Sequence, residues 1–305
     1  MVTKSEFGDY ELYTISRGDM RASVATLGGT IVSIKFHDKE MVLGYADPAD
    51  YVPGRFSLNL TIGRYANRIG NASFILNDKK YLLPANEGKN ILHGGKNNYG
   101  NRKWTAEIVD DNTVAMSIFS PDGDNGFPGN LTMKAIYSIE EPDTFQVKFE
   151  GETDADTVFA PTVHPYFSFG DTGSVLDLKM KMNASGHLEV DDGLIPTGNI
   201  LPCEDEFDFS SEKAVNVNFD DAFVLNSEHA LSISNDNVAM DMYTDMPAVQ
   251  IYTGKGLKAP FKPNEGIAIE PEYFPDSPNH SNFPSTVLKA GEKLSKYVQY
   301  KFSEK

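Results

Sequence analysis

Hydrophobic and polar residues alternate with a period of two along much of the chain. Val114, Met116 and Ile118 alternate with small or polar neighbours, and Phe145, Val147 and Phe149 alternate with Gln146, Lys148 and Glu150. Leu176, Leu178, Met180 and Met182 alternate with Asp177, Lys179 and Lys181. Successive side chains of a β-strand point to opposite faces, so each run predicts a strand with one buried face and one facing water or another layer. Leu231 and Ile233, then Val238, Met240 and Met242, flank Asn235-Asp236-Asn237 as a hairpin. Asp122-Gly123-Asp124 and Asp191-Asp192-Gly193 mark further turns. Amphipathic helical periodicity is missing; at most a turn or two is expected around Ala214 and from Asp47 to Tyr51. No linker, repeat or low-complexity segment interrupts the pattern. It predicts an all-β protein, a large antiparallel β-sandwich formed as a single domain over residues 1–305.

One stretch organises the candidate chemistry. It opens with Gly63-Arg64-Tyr65-Ala66-Asn67-Arg68-Ile69-Gly70 and closes with Asn90-Ile91-Leu92-His93-Gly94-Gly95. Between them a hairpin is predicted, with strands at 72–76 and 81–84 and a turn at Asn77-Asp78-Lys79, because Asn and Asp tolerate the positive φ of tight turns. A hairpin returns its two ends to one sheet edge, which would bring Asn67 and Arg68 close to His93. A Gly-Gly beside them lets backbone approach a ligand, so a polar binding site is expected here.

Composition narrows the partners. The chain has 305 residues and a formal net charge of -17, which disfavours nucleic acid or an anionic membrane surface. Cys203 is the one cysteine, so no internal disulfide can form, as suits a reducing compartment. The first residues carry no apolar signal region and no run approaches the length of a membrane span, so a soluble cytoplasmic protein is expected.

Three later stretches break the alternation in ways that packing does not require. In Pro161-Thr162-Val163-His164-Pro165-Tyr166-Phe167 the prolines, which cannot donate to a ladder, place His164 at a strand end or edge. Phe219-Asp220-Asp221-Ala222-Phe223 puts paired carboxylates before an apolar strand. In Gly266-Ile267-Ala268-Ile269-Glu270-Pro271-Glu272, Ile267 and Ile269 share one face and Glu270 shares the other with Ala268. A carboxylate there is costly unless it is paired or lines a cleft. His37, His187, His229 and His280 sit in polar, turn-like contexts and are expected to be dispensable. His93, His164 and Glu270 could in principle ligate a metal, but no two histidines have close ligand spacing, and no metal or cofactor is predicted.

Taken together, these stretches resemble the aldose 1-epimerase (galactose mutarotase) family. The matching strings are GRYANRIG at 63–70, NILHGG at 90–95, GFPGNL at 126–131, HPYF at 164–167, DDAF at 220–223 and AIEPEYFPD at 268–276. They follow the family's order across nearly the whole chain. The resemblance implies the family's large supersandwich and a cofactor-free interconversion of sugar anomers by an isomerase. It implies Glu270 as base and His164 as acid, with Asn67, Arg68, His93, Tyr166 and Asp220 binding the sugar. Many members have Asn-His-Ser/Thr-Tyr-Phe-Asn-Leu where this chain has residues 163–169, Asp-His at Asp220-Asp221, and Gln at Glu272. These departures bear on which aldohexose is preferred.

Mutarotation itself asks for these residue types. Removing the C1 hydroxyl proton while protonating the ring oxygen suits a carboxylate and an imidazolium, and a neutral polyol is held by hydrogen bonds. The expected partner is a free aldohexose such as glucose or galactose, bound by a monomer or homodimer. A hexose-phosphate mutarotase would need an Arg and Lys cluster. A glycoside hydrolase would pair Glu270 with Asp220 but leave both histidines idle. A non-catalytic sugar sensor of the same fold would need neither His164 nor Glu270 for proton transfer.

Overall fold

The computed structural model describes residues 1–52, 55–170 and 173–305. Its largest sheet has nine strands in the order Thr105–Asp110, Thr113–Ser120, Leu131–Glu141, Thr144–Thr153, Lys293–Glu304, Val238–Thr244, His229–Ser234, Lys179–Met182 and Lys213–Ala214. A six-stranded sheet runs Tyr166–Phe167, Ile267–Glu272, Ala248–Tyr252, Asp220–Leu225, Ala184–Val190 and Pro196–Leu201. A five-stranded antiparallel sheet is built from residues 2–40 in sequence order. Neighbouring strands in the nine- and six-stranded sheets pair antiparallel throughout.

Period-two alternation is what allows the sheets to stack. In Leu131–Glu141, Leu131, Met133, Ala135, Tyr137 and Ile139 are buried while Thr132 and Lys134 are exposed. These side chains join Phe145, Val147, Phe149, Val298 and Tyr300 in a core cluster that also contains Ile31, Phe223, Ile251, Ile267 and Ile269 from the other two sheets. Each such aliphatic or aromatic side chain contributes about 1.5–3 kcal/mol by leaving water. The fold is thus the all-β antiparallel sandwich that the alternation predicts.

The hairpin after Gly70 forms as Ser73–Leu76 and Lys79–Leu82, with Asn77 and Asp78 at φ 50° and 60°. Both central residues have positive φ, as in the type I′ turn that matches strand twist. The hairpin about Asn235–Asn237 also forms, and Pro48–Asp50 is a short 3-10 turn capped by Asp47. Two expectations are corrected. Leu176 lies in a 3-10 turn, Val175–Asp177, and the strand begins only at Lys179, because the Ser174 hydroxyl caps the turn by accepting from the Leu176 N–H. The Ala214 region is a short strand at the edge of the nine-stranded sheet, where pairing with Lys179–Met182 satisfies its backbone better than an isolated helical turn. Among the described residues every helical segment is a three-residue 3-10 turn, and no helix is long and apolar enough to cross a membrane.

Arg64 ties the loops beneath the candidate site together. Its side chain is buried, and Nη1 donates to the carbonyls of Pro128 and Gly129 at 2.6 and 3.0 Å and to Thr157 Oγ1 at 3.2 Å. Nη2 donates to the Ser120 carbonyl at 3.1 Å and to Ser120 Oγ at 2.6 Å. The guanidinium also lies over the Phe127 ring. The GFPG string at 126–129 therefore serves as a socket for this arginine. Gly63 precedes it because a Cβ there would lie 2.3 Å from the Tyr99 ring.

Each buried acceptor left without its donor costs about 1–3 kcal/mol. Arg64→Met should therefore lower stability by at least about 3 kcal/mol, read as a fall in the urea midpoint with an unchanged slope. A loss below about 1 kcal/mol would show that these loops hold without it.

Candidate active site

One face of the six-stranded sheet packs into the core, and its other face floors a cavity of about 720 Å³, within the range of small-molecule sites. Register decides which side chains meet there. Ala222, Gln250 and Glu270 lie side by side across three strands, and Asp220, Tyr252, Ala268 and Tyr166 form the next row. Alternation along Ile267–Glu272 sends Ile267 and Ile269 into the core and leaves Ala268, Glu270 and Glu272 on the opposite face. Gln250 Nε2 donates to Asp220 Oδ1 at 2.8 Å, fixing that carboxylate against the floor.

The wall comes from the two ends of the Gly63–Gly95 stretch. Arg68–Ile69 pairs antiparallel with Ile91–Leu92, which places Asn67 against His93. Both residues have left-handed backbone, φ 59° and 50°, an uncommon conformation for side-chain-bearing residues. Reciprocal hydrogen bonds hold it. The His93 N–H donates to the Asn67 carbonyl at 2.9 Å, and the Asn67 N–H donates to His93 Nδ1 at 3.2 Å. Gly94 follows because a Cβ at its φ of +76° would sit 2.3 Å from the Gly63 carbonyl oxygen. Asn67 Oδ1 accepts from the Arg68 N–H at 2.9 Å, and its Nδ2 donates to Glu272 Oε1 at 2.9 Å. Arg68 makes a bidentate pair with Glu87, Nε to Oε2 at 2.7 Å and Nη2 to Oε1 at 2.9 Å.

His164 follows the short Thr162–Val163 strand, and its Nε2 lies 3.3 Å from Glu270 Oε1. Its ring stacks on Tyr166 at 5.0 Å and meets His93 edge-on at 5.3 Å. His164 and Glu270 are 4% and 2% exposed, and both still line the cavity. Burial dominates their electrostatics. It lowers His164 to about 4. Glu270 is pushed well above the carboxylate range, first by burial and then by the charges of Glu272 and Asp220, with Arg68 opposing. Burial raises Glu272 to about 8 despite its bond from Asn67, and raises Asp220 against the pull of Arg68. Desolvation favours the neutral form of each group. The His164–Glu270 pair therefore holds one proton between them, resting on Glu270.

The ligand atoms of His93, His164 and Glu270 lie within 4.8 Å of one another, but the bonding of His93 does not fit a metal. Its Nδ1 accepts from the Asn67 N–H, so in the neutral ring the proton sits on Nε2, leaving that nitrogen no lone pair for a cation. This nitrogen is instead a donor suited to a hydroxyl oxygen.

All seven residues expected at the site, Asn67, Arg68, His93, His164, Tyr166, Asp220 and Glu270, line this one cavity. Gln250, Tyr252 and Glu87 are further members of the assembly. Gln250 was legible in principle, as the only polar residue in the run Ala248-Val249-Gln250-Ile251. Nothing local marks Glu87, which reaches Arg68 only through the loop that follows Pro84. The other four histidines lie outside the cavity, yet two differ from the expected turn-like setting. His187 is buried in a strand and stacked 3.7 Å from Phe207, and His229 opens the strand His229–Ser234 with its Nε2 2.9 Å from Asp241 Oδ1. His37 faces Asp19, and His280 follows the 3-10 turn Ser277–Asn279 with its Nε2 3.3 Å from the buried Asp276.

Comparison with known proteins agrees with this architecture. The sequence model of the family described as aldose 1-epimerase matches residues 11–301. The aldose 1-epimerase of Escherichia coli (strain K12) is 30% identical over 330 residues, covering 96% of this chain and 95% of that protein. The galactose mutarotase of Sus scrofa is 27% identical over 339 residues, covering 99% and 98%. Among solved structures, an aldose epimerase homologue from C. elegans superposes with a TM-score of 0.91 at 26% identity, covering 96% of this chain and 99% of the other. Galactose 1-epimerase from Lactobacillus acidophilus NCFM gives a TM-score of 0.91 at 26% identity, covering 100% and 98%. With the family match spanning almost the full length and the fold shared throughout, the chain belongs to the aldose 1-epimerase family of isomerases.

Proposed function

We propose that this mutarotase interconverts the α and β anomers of free aldohexoses, glucose or galactose, with Glu270 as base and His164 as acid. The observation that carries the assignment is the 3.3 Å approach of His164 Nε2 to Glu270 Oε1 in the wall of a polar cavity. The name of the Sus scrofa relative, galactose mutarotase, supports galactose as one substrate.

Proton transfer across the pair converts its neutral form into carboxylate and imidazolium. The Glu270 carboxylate then takes the C1 hydroxyl proton as His164 gives its proton to the ring oxygen, and the bond from C1 to that oxygen breaks. Rotation about C1–C2 turns the other face of the aldehyde towards the ring hydroxyl. Reclosure returns both protons, Glu270 donating to the carbonyl oxygen and His164 accepting from the attacking hydroxyl. Asp220, held by Gln250, accepts from sugar hydroxyls, while His93 Nε2–H and Arg68 donate. Tyr166 orients the His164 ring by stacking. Among the described lining residues only Arg68 and Lys96 are cationic, and Arg68 is already engaged by Glu87. That balance, with Asp220 and Glu270 beside it, suits a neutral sugar better than a phosphorylated one.

Fresh α-glucose or α-galactose followed by polarimetry should reach equilibrium faster with the protein, and EDTA should leave that rate unchanged. Recovery of a chelator-lost activity by zinc would overturn metal-free chemistry at this site. Glu270→Gln and His164→Asn should each lower kcat by roughly 100-fold or more, with a much smaller change in KM. A Glu270→Gln protein that keeps most of its kcat would remove Glu270 from the mechanism.

The pH profile follows from the shared proton. As pH falls towards about 4, His164 gains a second proton for the pair and no base remains. At alkaline pH the shared proton is lost and no acid remains. A bell-shaped profile with its acid limb near pH 4 is expected, reporting the pair rather than either residue alone.

The same shift affects stability. Between its ordinary 6.5 and about 4, His164 binds a proton in the unfolded chain but not in the folded one, so its contribution is lost as pH falls through that window. The Tm of His164→Asn relative to wild type should therefore rise from pH 6.5 to pH 4. A constant difference would show that His164 is not desolvated.

A further inference from the structure

Glu272 takes no part in the proton transfers assigned above and does not line the cavity, yet it is a fully buried carboxyl immediately behind it. We propose that Glu272 is a positioning residue of the mutarotase site: through Asn67 it sets the places of Arg68 and His93, and through its charge it keeps the proton shared by Glu270 and His164 in place at alkaline pH. The proposal rests on the assignment of Glu270 and His164 as the reacting pair.

The geometry has two parts. Glu272 Oε1 accepts from Asn67 Nδ2 at 2.9 Å, which turns the amide so that Oδ1 faces the Arg68 N–H at 2.9 Å. The Asn67 backbone in turn exchanges hydrogen bonds with His93, holding its Nε2–H as a donor. One buried acceptor thus fixes two of the groups that would hold the sugar. Among the described residues Glu272 Oε2 has no hydrogen-bond partner, nor has Glu270 Oε2, so neither carboxylate is fully compensated there when ionised.

The second part is the strand itself. Residues 270 and 272 are on the same face, about 7 Å apart along the strand, and both are buried. The charged and titratable groups facing Glu272 are Arg68, Asp220, Glu270 and Tyr65. Those facing Glu270 are Glu272, Asp220, Arg68, His164, Tyr166 and Tyr300. Arg68 is the one cation in either set, and Glu87 shares its charge. Two carboxyls so placed resist ionising together. Glu272 loses its proton at about 8, and the negative charge that appears then makes the proton on Glu270 harder to remove. Burial holds the proton on Glu272 above the ordinary carboxylate range, so its charge, and with it the guard against proton loss from Glu270, grows as the medium turns alkaline.

The test separates charge from hydrogen bonding. Glutamine at 272 keeps an Oε1 acceptor for Asn67 but cannot ionise; alanine removes both. With 13Cδ-labelled glutamate and no sugar present, the Glu270 resonance, assigned by its loss in Glu270→Gln, should titrate in two coupled steps in the wild type. In Glu272→Gln the step coupled to Glu272 should vanish and the Glu270 midpoint should fall by about one unit. The alkaline limb of kcat should move to lower pH by a similar amount. KM should rise about tenfold in Glu272→Ala, where Asn67 is released, and clearly less in Glu272→Gln. A Glu270 midpoint that is the same in wild type and Glu272→Gln would overturn the electrostatic role, and equal KM values in the two variants would overturn the positioning role. A Glu270 resonance that shows no step coupled to Glu272 in the wild type would overturn the electrostatic role without any substitution at 272 and without any activity. Failure of the wild type to accelerate anomer exchange would instead overturn the assigned function.

Discussion

A carboxyl group buried at the end of an apolar strand must be neutralised or be given a positive neighbour, and the site is arranged around that requirement at Glu270. Desolvation raises the proton affinity of this side chain, turning an ordinary weak base into one that can compete for a hydroxyl proton. The same burial makes His164 a stronger acid once protonated. Their 3.3 Å separation lets one proton serve both groups. Arg68 prevents the surrounding carboxyls from becoming untenable, and Glu87 holds it in place without leaving it free to attract an anion.

Such a site needs rigid walls, and these come from residues that never approach a sugar. Arg64 gathers the loops carrying Ser120, Pro128, Gly129 and Thr157 into one socket. Beyond its direct bonds, Ser120 Oγ donates to Asp124 Oδ2, which pairs with Arg102, so the buried charge is answered indirectly. Asp276 accepts from the Gly70 N–H at 2.9 Å, and its own N–H donates to the Arg68 carbonyl at 2.8 Å. The C-terminal FPD string thereby clamps the strand that presents Arg68.

Part of this is legible in the sequence alone. Alternation marks the strands through 114–118, 145–149, 180–182, 231–233 and 238–242 because a half-buried sheet imposes it, and the polar interruptions at His164, Asp220 and Glu270 stand out against that background; the two longest strands, Leu131–Glu141 and Lys293–Glu304, and the sheet of residues 2–40 were not singled out. What stayed hidden was pairing across the chain. Leu176 obeys the strand period but caps into a turn, since a local hydroxyl competes for its N–H. Ala214 carries no strand pattern and is a strand only because an edge was available. Glu87 and Arg64 act through partners 19 to 93 residues away, and no periodicity encodes such a distance. Glu272 was visible as a departure from its relatives, but its bond to Asn67 spans 205 residues.

The strand Ile267–Glu272 serves the core with Ile267 and Ile269 and the chemistry with Glu270. A one-residue slip would turn Glu270 into the hydrocarbon layer and Ile269 into the cavity. Core and chemistry are therefore inherited as one reading frame, and insertions or deletions in this strand are closed to evolution. Divergence in sugar choice has to come from the rim, where Asn86, Lys96, Asn98 and Asn101 sit on loops between Ala85 and Arg102. Those loops can lengthen, shorten or exchange side chains while the sheet beneath keeps its phase.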